Sequence, residues 1–156
     1  MDTIKQDFRL WLATDASLAG LVGINVFFTA IPTRVDGGYI GTRWPILDAI
    51  HTTEAGSGHV TVAKCEVNCC WKGPDPVKNY AQASAIAQAV KARMQVNGTW
   101  LMGQTIVYQV SVDDLPEGEK AGAAEKDDEF SFHAGASSGI QAVKVSVSFH
   151  YWSPNS

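Results

Sequence analysis

Three cysteines and four histidines are the residues of this chain with the most chemistry to offer. Cys65, Cys69 and Cys70 lie within six residues, and the histidines stand at positions 51, 59, 133 and 150. A thiolate beside an imidazole makes a nucleophile, and two of the histidines can come near the cysteine segment. The pattern around the thiols argues against that use. His59 to Lys72 alternates as a strand, and Cys65 and Cys69 fall on its apolar parity, where they pack as small hydrophobes. Cys70 faces the polar side and is the one plausible reactive thiol. On a straight strand Cys65 and Cys69 stand roughly 13 Å apart, too far for a disulfide. Structural zinc takes cysteines at short gaps in a knuckle, with a second cluster elsewhere; this chain has C-x3-C-C on a strand and no second cluster. It contains neither a calcium-loop pattern nor a phosphate-binding glycine loop. The expectation is no enzyme, no metal and no cofactor.

What remains is surface. The chain has 156 residues, 46% of them apolar and only 18% charged, with five tryptophans. A length like this reads as one domain, 1–156. Low charge and many tryptophans fit a generous core or surface hidden in an oligomer. Trp71, Trp100 and Trp152 fit either the core or an interface anchor, because tryptophan is enriched at binding hot spots. Trp152 leans to the interface, since it breaks the alternation of its strand, and Trp11 leans to the core. Trp44, Trp71 and Trp152 are the aromatic interface candidates.

The net charge of −4 is uneven. Asp113, Asp114, Glu117, Glu119, Glu125, Asp127, Asp128 and Glu129 crowd one segment with two lysines, leaving the rest slightly basic. Such a run does not suit a grip on duplex DNA. These eight acids are the charged candidates for an interface or a channel lining. No apolar run is long enough to span a membrane, and the opening MDTIKQDF lacks the apolar stretch of a signal peptide. A cytoplasmic site of synthesis is expected.

The elements that must position these residues follow from periodicity. Ile4, Phe8, Trp11 and Leu12 predict a helix over 3–14, with capping-box spacing at Thr3 and Gln6. Asp15 caps a short turn of helix that ends at Gly23. A short strand over 26–29 precedes a loop over 30–43, rich in glycine and proline signals. Strands over 44–53 and 59–72 flank a tip at 54–58, with a switch of parity near Val62 that suggests a bulge. Asp75-Pro76 opens a helix to about Val96, its inner stripe Tyr80, Ala83, Ala87, Val90 and Met94. A strand over 105–113 turns Ile106, Tyr108, Val110 and Val112 one way. A long acidic loop over 114–138 follows, with Phe130 and Phe132 a possible short strand. The final strand, 140–152, alternates Val143, Val145, Val147, Phe149 and Tyr151 with Lys144, Ser146, Ser148 and His150. This is an α+β pattern: an antiparallel or mixed sheet of four to five strands packed against two main helices, with long loops.

In order and spacing, the chain resembles the tail-completion proteins of long-tailed bacteriophages, also called tail terminators or tail-to-head joining proteins. FRLWLATDASLAGLVGINVFF is similar to the family's first helix, short turn, glycine and first strand. Pro45-Ile-Leu resembles its second strand. CEVNCCWKGPDPVKNYAQASAIAQAVKARM resembles its strand ending in tryptophan, turn and alanine-spaced helix, and GIQAVKVSVSFHYW its closing strand. The 114–138 loop and the cysteines depart from the pattern. The resemblance implies a virion structural protein with no catalytic residues, assembled in the host cytoplasm. It implies a ring, typically of six subunits, that caps the tail tube, ends its polymerisation and presents a surface to the head-side connector. Its partners would be its own copies, the tail tube protein and the connector or stopper, with DNA only passing through the lumen and no membrane. The alternative within virions is a head-side connector or stopper of the neck. A small cytoplasmic Cys/His enzyme is the rival of another class.

Overall fold

The computed structural model describes residues 2–23, 25–27, 37–50, 58–114 and 139–154. In chain order these form α1 (Asp2–Ala13), α2 (Ala16–Val22), β1 (Val26–Phe27), β2 (Gly37–Ile50), β3 (Gly58–Lys72), α3 (Pro76–Arg93), β4 (Trp100–Met102), β5 (Thr105–Asp114) and β6 (Ile140–Pro154). The expected α+β class holds. Among the described residues the sheet has six strands, one more than the upper expectation, in the order β1-β2-β3-β6-β5-β4. Every neighbouring pair is antiparallel except β1 and β2.

The helices form because their apolar residues repeat at helical spacing, and α2 and α3 are capped. In α1, Ile4, Phe8 and Leu12 are buried, one above the other at four-residue steps. Thr3 sits inside the first turn rather than ahead of it, so the expected capping box is not formed. Asp15 caps α2 by accepting the Leu18 amide, and Gly23 closes it at φ 58°, a conformation only glycine adopts freely. Asp75 caps α3 by accepting the Val77 and Lys78 amides, with Pro76 at the first position. The buried stripe of α3 is Asn79, Ala83, Ile86, Ala87 and Val90, continuing into Met94. Tyr80, expected on that stripe, is exposed, and buried Asn79 takes the position one residue earlier. Its side-chain amide donates to the carbonyls of Gly73 and Gly139 at 2.8 and 3.0 Å, tying the turn before α3 to the start of β6.

All three helices pack on one face of the sheet. Phe8 and Phe149, both fully buried, meet edge to face at 5.2 Å, and the Trp44 ring packs on both. β3 and β6, the central pair, contribute Ala63, Cys65, Val67 and Cys69 and Val143, Val145, Val147, Phe149 and Tyr151 to this core. Burying each large side chain is worth about 1.5–3 kcal/mol. The opposite face carries a smaller buried cluster of Tyr39, Cys70, Ile140 and Ala142. Lys144 and Ser146, expected on an exposed face of β6, are buried there too.

Three expectations change. Gly37–Arg43, read as loop, is the first half of β2. An added Cβ at Gly38 would stand 2.6 Å from the Leu21 carbonyl oxygen and 2.9 Å from the Trp71 ring, so this glycine marks a close approach within a strand. β3 pairs with β6 without interruption from Gly58 to Lys72. The bulge expected near Val62 lies instead in β2, between Arg43 and Ile46, where Pro45 has no amide to give to a ladder. β5 carries its own irregularity between Val107 and Gln109. Thr105 and Val107 face the core before it, Val110 and Val112 after it, and Ile106 and Tyr108 turn away. The tip at 54–57, the Phe130–Phe132 segment and most of the acidic loop lie outside the described residues.

Candidate assembly surfaces

The thiols come first, because they alone argued for catalysis. Cys65 and Cys69 lie on the core face of β3, fully buried, and burial pushes both thiols well above the ordinary value of 9.0. Cys70 points to the other face, as its parity requires, yet it is 3% exposed and sits beside Tyr39. Burial, reinforced by Cys70, pushes the Tyr39 phenol far up. The expectation of Cys70 as an available thiol on a polar face is therefore corrected: it packs inside the small second cluster. His150 pairs with Val62, whereas Cys70 pairs with Ala142, eight residues away on β6 and so roughly 26 Å distant. His51 and His133 lie outside the described residues. Among the described residues no three of His, Cys, Asp and Glu converge, and no helix is long and apolar enough to cross a membrane.

The tryptophans divide by position. The half-buried Trp44 has its ring against Phe8 and Phe149. Its indole nitrogen is buried with no acceptor among the described residues. Trp71 lies over Gly38 and packs on the main core. Trp152 is half-buried and stands opposite Val60 at the far end of β6. Trp11, expected in the core, is half-buried and tilts against Trp100 at 4.8 Å. Its nitrogen donates to the Arg93 carbonyl while the Arg93 Nε donates to the Trp11 carbonyl. The guanidinium lies 3.6 Å above the indole. This reciprocal clasp fixes the end of α3 to the corner between α1 and α2. Of the acidic candidates, Asp113 is exposed at the end of β5 and Asp114 is its last residue. Glu117, Glu119, Glu125, Asp127, Asp128 and Glu129 lie outside the described residues.

A second clasp fixes the β4–β5 hairpin. Asp7 of α1, itself buried, accepts from the Thr105 hydroxyl at 2.6 Å and the Gln104 amide at 3.1 Å. No local pattern marks this contact, since an acid within a helical stripe reads as solvated.

The free backbone lies at the sheet edges. β1 covers only Ile40 and Gly41 of β2. β4 covers only Thr105, Ile106 and Val107 of β5. Among the described residues, β2 beyond Gly41 and β5 beyond Val107 have no strand on their outer sides. Beside the free stretch of β5 runs an open groove of about 410 Å³, lined by Lys91, Met94, Gln95, Val96, Asn97, Val110 and Val112. Two exposed large apolar side chains lie on the β4–β5 hairpin: Leu101 is 63% and Tyr108 39% exposed. Unpaired strand edges offer hydrogen bonds to a neighbour. Among the described residues, stub strands leave two such edges on opposite sides of one sheet.

Comparison with known proteins gives a fold likeness. No family model matches the chain, and no curated protein matches it. Among solved structures, the chain is similar to one from the virion of a native gene transfer agent particle. The identity is 16% and the TM-score 0.52, over 94% of this chain and 92% of the other. At that identity the likeness is one of fold, and it spans nearly the full length of both chains.

Proposed function

We propose that this protein is a structural component of a phage-type virion, acting as a tail terminator. Its copies close into a ring that caps the finished tail tube, stops its growth and presents a joining surface to the head. The single observation that carries the reading is the full-length fold likeness to a chain of a gene transfer agent virion. The surfaces agree with it. Two unlike free edges on opposite sides of one sheet suit head-to-tail contacts, which close into rings. The most nucleophilic residues are packed away in apolar clusters, so the surface offers fit instead of bond-making.

The partners of this reading are further copies of the chain, the tube protein and a head-side connector. The acidic run from Asp113 to Glu129, repeated around a ring, would repel DNA phosphate if it faced the lumen. The deciding experiment is electron microscopy of particles assembled without the protein. A terminator leaves overlong or headless tails in its absence, and the purified protein halts tube growth in vitro. Tails of normal length with unstable necks would overturn the terminator reading in favour of a head-side stopper.

A further inference from the structure

We propose that neighbouring copies join edge to edge: the free stretch of β5 in one copy pairs antiparallel with the free stretch of β2 in the next, placing Asp113 opposite Arg43. The inference rests on the ring reading above and names the surface through which that ring would close.

Strand direction carries the first step. β2, β3, β6 and β5 alternate in direction across the sheet. β2 and β5 therefore run oppositely. A second copy set beside the first in the same orientation brings the outer side of β5 against the outer side of β2 as an antiparallel pair.

Register carries the second step. Arg43 pairs with Glu66, Glu66 with Ser146, and Ser146 with Asp113. Arg43 and Asp113 thus stand at the same height on the two edges and on the same face of the sheet, the face where Arg43 Nη1 meets Glu66 Oε2 at 3.0 Å. When two copies are level, the acid at one edge meets the base at the other. The guanidinium has five donors and can hold Glu66 of its own copy and Asp113 of the neighbour together. Both residues are exposed in the single copy.

The stub strands carry the third step. In the same frame, β1 covers β2 below the Arg43 row, at Ile40 and Gly41. β4 covers β5 above that row, opposite the end of β6 that holds Tyr151. The two stubs sit at opposite ends of the contact, and the rows between them, Gln109–Asp114 and Thr42–Asp48, are open on both edges among the described residues. A strand seated on β5 there would also roof the groove floored by Val110, Val112 and Met94. The two edges are different surfaces of one molecule, so the contact repeats head to tail.

The test is a pair of single-cysteine placements. R43C and D113C are purified separately, checked for native circular dichroism, mixed and mildly oxidised. The native thiols are buried and do not compete. The proposal expects a covalent dimer that forms only when both variants are present, and a ladder of covalent multimers from the double variant. Disulfide geometry tolerates such directly opposed positions. D113R, a change at an exposed residue, should raise the concentration for half-assembly about fivefold with an unchanged circular dichroism spectrum. Covalent dimers from D113C alone, oligomers that assemble with no mixed cross-link, or a chain that remains monomeric and uncross-linked at every concentration and in tails each overturn it. The two readings fail separately. Overlong tails without the protein but no mixed cross-link leave the terminator standing and remove this junction. A mixed cross-link with normal tails in the protein's absence does the reverse.

Discussion

Gly38 shows how a single missing methyl group can decide whether a strand forms. Its neighbours Gly37 and Gly41 made the segment look like loop, because glycine in sequence signals turns far more often than crowding. The cause lies across the ladder, where the Trp71 ring and the Leu21 carbonyl occupy the space a side chain would need. No local pattern records that. G38A should cost about 1–3 kcal/mol by overpacking, measured as a fall in the urea midpoint, with a change in the near-ultraviolet signal of tryptophan. The buried thiols make a second residue-scale prediction. Cys65 and Cys69 ionise in the folded chain only well above their ordinary 9.0. The unfolded chain loses those protons first as pH rises. Their contribution to stability is therefore complete below pH 9 and declines above it, and Tyr39 adds to the decline above 10. Urea midpoints taken from pH 7 to 11 should stay level and then drop. In the same series, a thiol reagent should react at pH 8 only as the chain unfolds. The alternation of 59–72 was enough to place Cys65 and Cys69 inside. It was not enough for Cys70, because a second cluster behind the sheet is a product of tertiary packing.

Elements with strong caps and long periodicity were readable, and elements held by distant partners were not. Asp15, Asp75-Pro76 and Gly23 marked helix ends that the structure reproduces. β4, three residues long, carries too little pattern to show. Parity failed where bulges intervene: a switch was read into β3, and those at Trp44–Pro45 and near Tyr108 were missed. A bulge moves every later side chain to the other face, and only the partner strand reveals where it falls. Asp7 holds the turn of the β4–β5 hairpin to α1, beside the contact of Trp11 with Trp100. D7A leaves the Thr105 hydroxyl and the Gln104 amide without their acceptor, at a cost of about 1–3 kcal/mol. Hydrogen exchange should quicken at Gln104 and along β4, while β3 and β6 keep their protection.

At the scale of the whole molecule, the two central strands come from distant parts of the chain. β3 ends at Lys72 and β6 begins at Ile140, and these two residues are paired. Closing a loop of that length before the core can form favours slow folding, on the order of milliseconds to seconds. Stopped-flow refolding followed by tryptophan fluorescence should fall in that range; microsecond folding would contradict a β3–β6 nucleus. The six-stranded order was only partly legible, since alternation identifies strands but not their neighbours, and which edges stay open depends on that order. Pro45 gives one of those edges a character of its own. Cross-β growth spreads along straight, uninterrupted strands, and the irregularity between Arg43 and Ile46, with Pro45 inside it, bends the β2 edge in its middle. A chain with long unguarded flanks would otherwise be a seed for runaway stacking. Bent in this way it can still clasp a neighbour shaped to follow the bulge, and it is a poor template for anything else.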